Sequence, residues 1–383
     1  MIIWESGTVM SIIGQRGEVQ ELLVRTDEGN MAKAIHYADV LRPVSPGDRV
    51  RLNATAVKLN LGSGGYHFVY ALLEPEENDK AAGNGRGNRS EAQGKRHGGH
   101  MMKLRYTPAQ RAVLSAEEPA SPYHRLFMEH RSIEGMPVLI GELHSMLPVA
   151  LCWIFGGNPP YPRVSYLMSD GAALPIAFSK HVSCLKALRW LSGTVTYGHA
   201  YGGDLETVNR YTALLAARHA QRADIAVAAM GPGIAGTGTP YGHTAVEIAE
   251  LVHAVKALDG VPVVIPRISF ADARKRHRGV SHHLLESLGR LALAEAVIPM
   301  PGSLRPEERQ LIERQLCESG CERRHRILWM PGPDPAETER RLSLYPEPVR
   351  TMGRGLSDDP RFFEAVCAAV SFALSLVRAG ETK

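Results

Sequence analysis

Apolar positions follow two different patterns along the chain. Between residues 1 and 74 they come in short stretches: GTVMSII, EVQELLVRT, AKAIHYADV, DRVRLNATAV and YHFVYALLE. These are rich in β-branched and aromatic residues and are bounded by glycine turns, the signature of short strands. Asp27-Glu28-Gly29-Asn30 and Ser45-Pro46-Gly47-Asp48 read as turns, because proline presets one turn torsion and glycine supplies a positive φ. Five such strands predict a small all-β, barrel-like domain over residues 1–74.

From about residue 136 continuous apolar runs take over: PVLIGEL, RVSYLMSD, TVTYGHA, IAVAAMG, PVVIPRIS, AVIPM and RILWMPG. Runs that are apolar on both faces suit a parallel sheet covered by helices on both sides. Helical segments are expected between them at about 144–155, 174–191, 204–221, 241–258, 281–294 and 306–318, with a last helix at about 360–378. Strict β-α alternation implies right-handed crossovers. The prediction for residues 101–383 is an α/β domain with a doubly wound, mainly parallel sheet and helices on both faces. A short helix is also expected near Pro108–Ser115.

Residues 75–100 interrupt both patterns. The segment PEENDKAAGNGRGNRSEAQGKRHGGH contains no Val, Ile, Leu, Met or aromatic residue. It cannot bury enough surface to offset the entropy of ordering, so it reads as a flexible linker or disordered loop.

Composition changes this picture little. The chain has 383 residues, 44% apolar and 22% charged, which excludes wholesale disorder and suggests two or three domains. A net charge of +4 does not imply a nucleic-acid partner. Residues 1–74 hold seven basic against eight acidic side chains. Their aromatics, Trp4, Tyr37, Tyr66, Phe68 and Tyr70, are therefore expected in the barrel core rather than as a stacking platform, which argues against nucleic acid. Five scattered cysteines do not make a disulfide framework, and Cys317 and Cys321 lack the second pair a zinc site needs. MIIWESGTVM has no signal-peptide pattern. The apolar stretch 362–377 is shorter than the ~20 residues of a membrane span. The expectation is a cytoplasmic protein with no membrane partner; a homo-oligomer stays open.

In an open parallel sheet, ligands bind beyond the carboxyl ends of the strands, where strand order switches. Candidate chemistry should therefore follow a strand and precede a helix. The loop Gly231-Pro232-Gly233-Ile234-Ala235-Gly236-Thr237-Gly238-Thr239 follows IAVAAM and precedes a helix expected near Tyr241. Its glycines permit close backbone approach, the helix start offers free N–H groups, and Thr237 and Thr239 add hydroxyls. It reads as an anion cradle or as a plain glycine-rich turn. It is no P-loop, and its glycines sit in the wrong strand for a nicotinamide fingerprint.

A second candidate runs from Asp272 to His283, with Arg274, Lys275, Arg276 and Arg278 leading into a helix start. Cations there oppose the helix dipole unless an anion binds. Ser281 is the expected N-cap. His277, His282 and His283 could serve as acid–base groups, phosphate contacts, metal ligands or structure; at most one of the adjacent pair His282 and His283 is expected to meet His277. Asp170, ending RVSYLMSD, could be a nucleophile, base, metal ligand or turn former. His199, ending TVTYGH, is a catalytic candidate, and Asp204 reads as an N-cap. Glu142 and His144, alternating at the end of the first sheet strand, are expected to share a face.

The segments GTV, LGSGGY, LRYTPAQ, MSDGAALP, GGDLE, GPGIAGTGT and HRGVSHH together resemble an uncharacterised bacterial family, the domain of unknown function 3866. That resemblance covers most of the chain. It implies that the glycine and histidine segments are family features, and it implies no reaction, no cofactor and no catalytic residue. The residues themselves point to a hydrolase or group transferase acting on a phosphorylated or otherwise anionic small molecule. Gly231, Gly233, Gly236, Thr237, Gly238, Thr239, Arg278 and Ser281 would hold the anion, and Asp170, His199 or His282 would carry catalysis. The alternatives are a non-catalytic ligand sensor and a structural or interaction protein.

Overall fold

The structure, a computed structural model, describes residues 2–60, 64–73, 99–106, 109 and 111–381. The segment expected to be a linker, 75–100, lies outside the described residues except for Gly99 and His100. The chain divides into two compact units, Met1–His97 and Gly98–Lys383.

In the first unit the five expected strands form: β1 (Trp4–Arg16), β2 (Val19–Thr26), β3 (Met31–Tyr37), β4 (Arg49–Asn53) and β5 (Tyr66–Leu73), with a helical turn α1 (Thr55–Lys58) before the last. They close into a barrel of order β1-β2-β3-β5-β4. Only β3 and β5 pair in parallel. Register shifts at Val9/Ser11 and Ile12/Gly14 bend β1, so that one strand pairs with both β2 and β4. The core is aliphatic: Val9, Leu22, Val24, Ala34, Val44, Val50 and Leu52. The aromatics are not its centre, contrary to expectation. Trp4 and Tyr70 are 38% and 57% exposed and lie against each other with ring centroids 4.6 Å apart; Tyr37, Tyr66 and Phe68 are half-buried. Five strands enclose a narrow lumen that small branched side chains fill, which leaves rings to the outside.

The second unit opens with a two-stranded hairpin, β6 (Met101–Lys103) and β7 (Arg111–Val113), where a helix was expected. A short helix α2 (His124–Glu129) follows. All seven apolar runs become strands of one sheet: β8 (Pro137–Gly141), β9 (Val164–Met168), β10 (Gly193–Thr196), β12 (Ile225–Ala229), β13 (Val261–Val264), β16 (Val297–Pro301) and β17 (Arg326–Met330). An eighth, β11 (Leu205–Glu206), adds an edge. The order is β11-β10-β9-β12-β8-β13-β16-β17, and every pairing is parallel. A small antiparallel ribbon, β14 (Ile268–Ser269) with β15 (Gly279–Val280), stands outside the sheet.

Side chains alternate between two cores, as a doubly covered sheet requires. Val138, Ile140, Ala226, Ala228 and Val264 face one layer, which contains α5 (Arg210–Leu215), α6 (Glu247–Ala257), α7 (His282–Glu286) and α8 (Pro306–Ser319). Leu139, Tyr166, Val227 and Val263 face the other, with α3 (Met146–Phe155), α4 (Lys180–Ala187) and α11 (Pro360–Glu381). The short helices α9 (Cys321–Arg324) and α10 (Pro335–Leu342) complete the unit. The fold is thus the expected doubly wound α/β sheet, with several helices shorter than predicted. The helix expected over 204–221 begins at Arg210, capped by Asn209. Asp204 instead accepts from the Thr194 N–H and hydroxyl and pairs with Lys186, closing the β10–β11 connection. The last helix is longer than its apolar run suggested. Pro360–Ala379 is long and apolar enough to cross a membrane, yet over half of it is buried in the fold, with Phe362, Phe363, Val366 and Val370 inside the core. The five cysteines are free.

Candidate functional site

From β8 the chain winds to β9, β10 and β11 on one side. It returns to insert β12 between β9 and β8, then crosses to β13, β16 and β17. Winding therefore reverses around β8, with β12 and β13 as its neighbours. The side chains leaving the carboxyl ends of these strands meet there, as expected of a switch point.

Glu142, just past β8, is fully buried. Its Oε1 accepts from Arg267 Nη1 at 2.7 Å, and Arg267 lies just past β13. Arg267 is itself buried and has Asp272 3.8 Å away. Asp272 is gripped by Arg274 through two bonds of 2.9 and 2.8 Å and by Arg354 at 3.3 Å. These guanidinium bonds, Arg274 first, hold the Asp272 carboxyl far below the usual carboxylate range. Arg354 also reaches Asp359, which accepts from the Ser269 hydroxyl at 2.6 Å. A buried charge network of this kind is tolerated only when its members pair.

Four imidazoles pack beside it. His243 stacks on His283 with centroids 4.1 Å apart. His283 lies 4.4 Å from His282 and 5.0 Å from His277, and His277 lies 5.2 Å from His282. Both members of the adjacent pair therefore meet His277, against expectation. His277 precedes the helix and lies between the two directions that successive helical residues take. The Ser281 hydroxyl does not cap α7; it bonds His277 Nδ1 at 3.0 Å. One ligating atom from each of His277, His282 and His283 lies within 4.8 Å of the others. His283 Nδ1 is 3.9 Å from Glu142 Oε1. Burial, and then neighbouring cationic and imidazole groups, push these rings towards the neutral form: His277 to about 3, His282 to about 4 and His283 to about 2. Glu142 Oε2, Arg267 Nη2, His243 Nδ1, His282 Nε2 and His283 Nδ1 are buried with no hydrogen-bond partner. Orphans are rare in folded proteins, and five in one place call for an explanation.

The glycine loop folds over this cluster. It is a closed hairpin: Thr237 N donates to Gly242 O, Thr244 N to Ala235 O, and Gly236 bridges His243. The hydroxyls of Thr237 and Thr239 bond each other at 2.9 Å, and Thr237 also bonds Gly242 O. The following helix starts later than expected, with a 3₁₀ turn at Thr244–Val246 and then α6, whose first residue is Glu247. Gly231, buried at the strand end, approaches the chain so closely that a Cβ would meet Ala173 O at 2.9 Å. At Gly236 a Cβ would lie 2.9 Å from His283 Nε2, and at Gly238, 3.8 Å from Arg276 Nη1. Gly233 has φ +114°, a conformation that favours glycine. Lys275, Arg276 and Arg278 are exposed, and Arg278 lies 5.7 Å from the centre of the Phe270 ring.

Asp170 and His199 lie instead just past β9 and β10. Asp170 Oδ2 accepts from His199 N at 2.9 Å, and His199 Nδ1 accepts from Leu104 N at 3.1 Å. Both hold a turn, and His282 belongs to a separate group of rings. Nearby, Glu247 Oε2 accepts from the Ser169 hydroxyl at 2.7 Å, and burial raises its pKa to about 7. Glu142 and His144 separate instead of sharing a face, because β8 ends at Gly141. His144 turns into the other core, between Tyr166 OH at 3.2 Å and Ser179 Oγ at 2.6 Å. A groove of about 840 Å³ is bordered by α10, Tyr345, Val349 and the start of α11, and takes no residue from the histidine cluster.

Sequence reasoning did not single out Arg267, His243 or Glu247. The available signal for Arg267 was a lone charge inside the apolar run PVVIPRIS, since a charge in a buried strand needs a partner.

A family model described as a protein of unknown function, DUF3866, matches residues 33–370. No curated protein and no solved structure matches the chain.

Proposed function

The chain belongs to the DUF3866 family of proteins of unknown function, and from that premise we propose that it is an enzyme, a hydrolase or group transferase acting on an anionic small molecule of the phosphorylated class. One observation carries the reading. The two segments that sequence chemistry singled out independently, the glycine loop and the cationic run ahead of α7, lie opposite each other at the switch point. Gly238 faces Arg276, and Gly236 faces His283. An anion at this mouth would be met by Arg276, Lys275 and the loop backbone, with the imidazoles of His277, His282 and His283 beneath it. The threonine hydroxyls already serve the loop's own hairpin, so the backbone and the cations supply the attraction. Asp170 and His199 act as turn formers in this reading, and His282 is the candidate in contact with the ligand. A cytoplasmic location fits the burial of the last helix within the fold and is part of the same proposal.

The test is titration of the full chain with inorganic phosphate and a panel of phosphomonoesters, followed by assays for phosphate release and transfer. Binding is expected to weaken about tenfold in Arg276→Ala and to fall with added salt, because attraction between exposed charges is screened. No binding and no turnover across the panel would overturn the reading.

A further inference from the structure

Among the described residues of the second unit, two groups of side chains could offer three ligating atoms to one ion. At the surface, His130 and His219 stack at 3.8 Å with planes 11° apart. Near-parallel stacked rings keep their lone pairs in separate parallel planes, which do not converge on a point. His219 Nε2 also bonds Ser132 O, and Glu134 is taken by Arg218. The buried group differs in ring geometry. The planes of His277, His282 and His283 cross at 44°, 86° and 62°, so their lone pairs can converge.

We propose that His277, His282 and His283 bind one divalent transition-metal ion of the zinc type, with the Glu142 carboxylate beside His283. The proposal rests on the same crevice as the functional reading above and adds the cofactor. Imidazoles with a carboxylate suit zinc, cobalt or nickel, whereas magnesium and calcium require oxygen-rich cages. Two of the orphaned atoms are ones an ion would use: His282 Nε2 and His283 Nδ1 are buried without partners. An outer contact already orients one ligand. Ser281 holds His277 Nδ1, which leaves Nε2 as the nitrogen to ligate. Such second contacts fix ring orientation in metal sites generally. The ligating nitrogens lie within 4.8 Å, and a tetrahedral zinc site sets them about 3.3 Å apart, so modest side-chain rotation closes the gap. The positive charge of Arg267 is offset by Glu142 and Asp272. His282 is half-buried and lies towards the cationic rim, where a coordination position could stay open to water or substrate, as catalytic sites require.

The test uses the full chain stripped by a chelator, then titrated with Co²⁺ and with Zn²⁺. One ion per chain is expected. His282→Ala should weaken binding at least about a hundredfold and Ser281→Ala about tenfold, while His219→Ala leaves both stoichiometry and affinity unchanged. X-ray absorption of the Co²⁺-loaded wild-type chain needs no variant and should count three imidazoles. No stoichiometric binding, fewer than three imidazoles, or loss of the ion in His219→Ala with retention in His282→Ala would each overturn the site. The two readings fail separately. Phosphate binding that responds to Arg276→Ala in a chain that takes no Co²⁺ or Zn²⁺ removes the metal and keeps the anion site. Metal binding without phosphate affinity or turnover keeps the metal and removes the anion reading.

Discussion

The two sides of the sheet's carboxyl edge are built from similar residues and end in opposite conditions. Beyond β9 and β10 the polar groups that drew notice from sequence are bonded, although neighbouring Glu247 keeps one buried oxygen without a partner. Asp170 takes the His199 N–H, His199 takes the Leu104 N–H, and buried Lys103 donates to Thr196 O, Ala200 O and Glu206. Beyond β8, β12 and β13 the side chains of Glu142, Arg267, His243 and His283 are buried, whereas Asp170 is exposed and His199 half-buried, and five polar atoms there have no partner. A satisfied network fixes a turn or a hairpin. An unsatisfied one, held open by outer bonds, is prepared for something else. Glu142 and His144 show the contrast within three residues: His144 is bonded at both ring nitrogens, whereas Glu142 keeps one oxygen free.

The largest effects should come from removing a buried ion on either side. Arg267→Met leaves Glu142 buried without its cation and should cost about 3–5 kcal/mol in urea unfolding; Lys103→Met leaves half-buried Glu206 with its bonds from Thr196 and Gly202 and should cost about 1.5–3 kcal/mol. The sides then separate in function, since Lys103→Met should keep ligand and metal binding while Arg267→Met loses both. Equal behaviour of the two variants would break the comparison.

A smaller effect is expected at Glu247. Its folded pKa, raised to about 7 by burial, lies above the ordinary value of 4.5. The folded chain therefore holds this proton more tightly than the unfolded chain. Its stabilising contribution is complete below about pH 4.5 and is lost as pH rises to about 7. Glu247→Gln should match the wild type near pH 4.5 and exceed it by about 1–3 kcal/mol at pH 8, measured by unfolding across pH. A constant difference over that range would show that the carboxyl does not titrate there.

Gly236→Val should disturb the site more than the fold, because its side chain would press on His283. Unaltered metal and phosphate affinity in the folded variant would contradict the loop's place over the cluster. The smallest effect belongs to His199→Ala, which removes one part-buried bond to Leu104 N, costs about 1 kcal/mol and leaves binding unchanged.

The sheet was legible in the sequence because a strand buried on both faces leaves a continuous apolar run, and all seven runs became strands. Helix limits were less legible. Asn209, not Asp204, caps α5, and nothing local distinguishes a capping aspartate from one that bonds a neighbouring strand. The histidine segment was legible as chemistry, but its partners were not. Alternation paired Glu142 with His144, and the pairing failed because the chain leaves strand geometry at Gly141. Arg267 joins Glu142 only through the adjacency of β8 and β13, and strand order is invisible in a sequence. The barrel aromatics were misplaced for a similar reason: composition records how many rings there are, while the width of a five-stranded lumen decides where they go.

The most direct measurement is a long-range ¹H–¹⁵N spectrum of the histidine rings as one equivalent of Zn²⁺ is added to the wild-type chain. Ligation shifts the nitrogen that takes the metal, and each ring reports separately. The account predicts shifts of a ligated nitrogen at His277, His282 and His283, with His144, His199, His130 and His219 unmoved. Shifts confined to His130 and His219, or no ligated ring in the buried group, would contradict it.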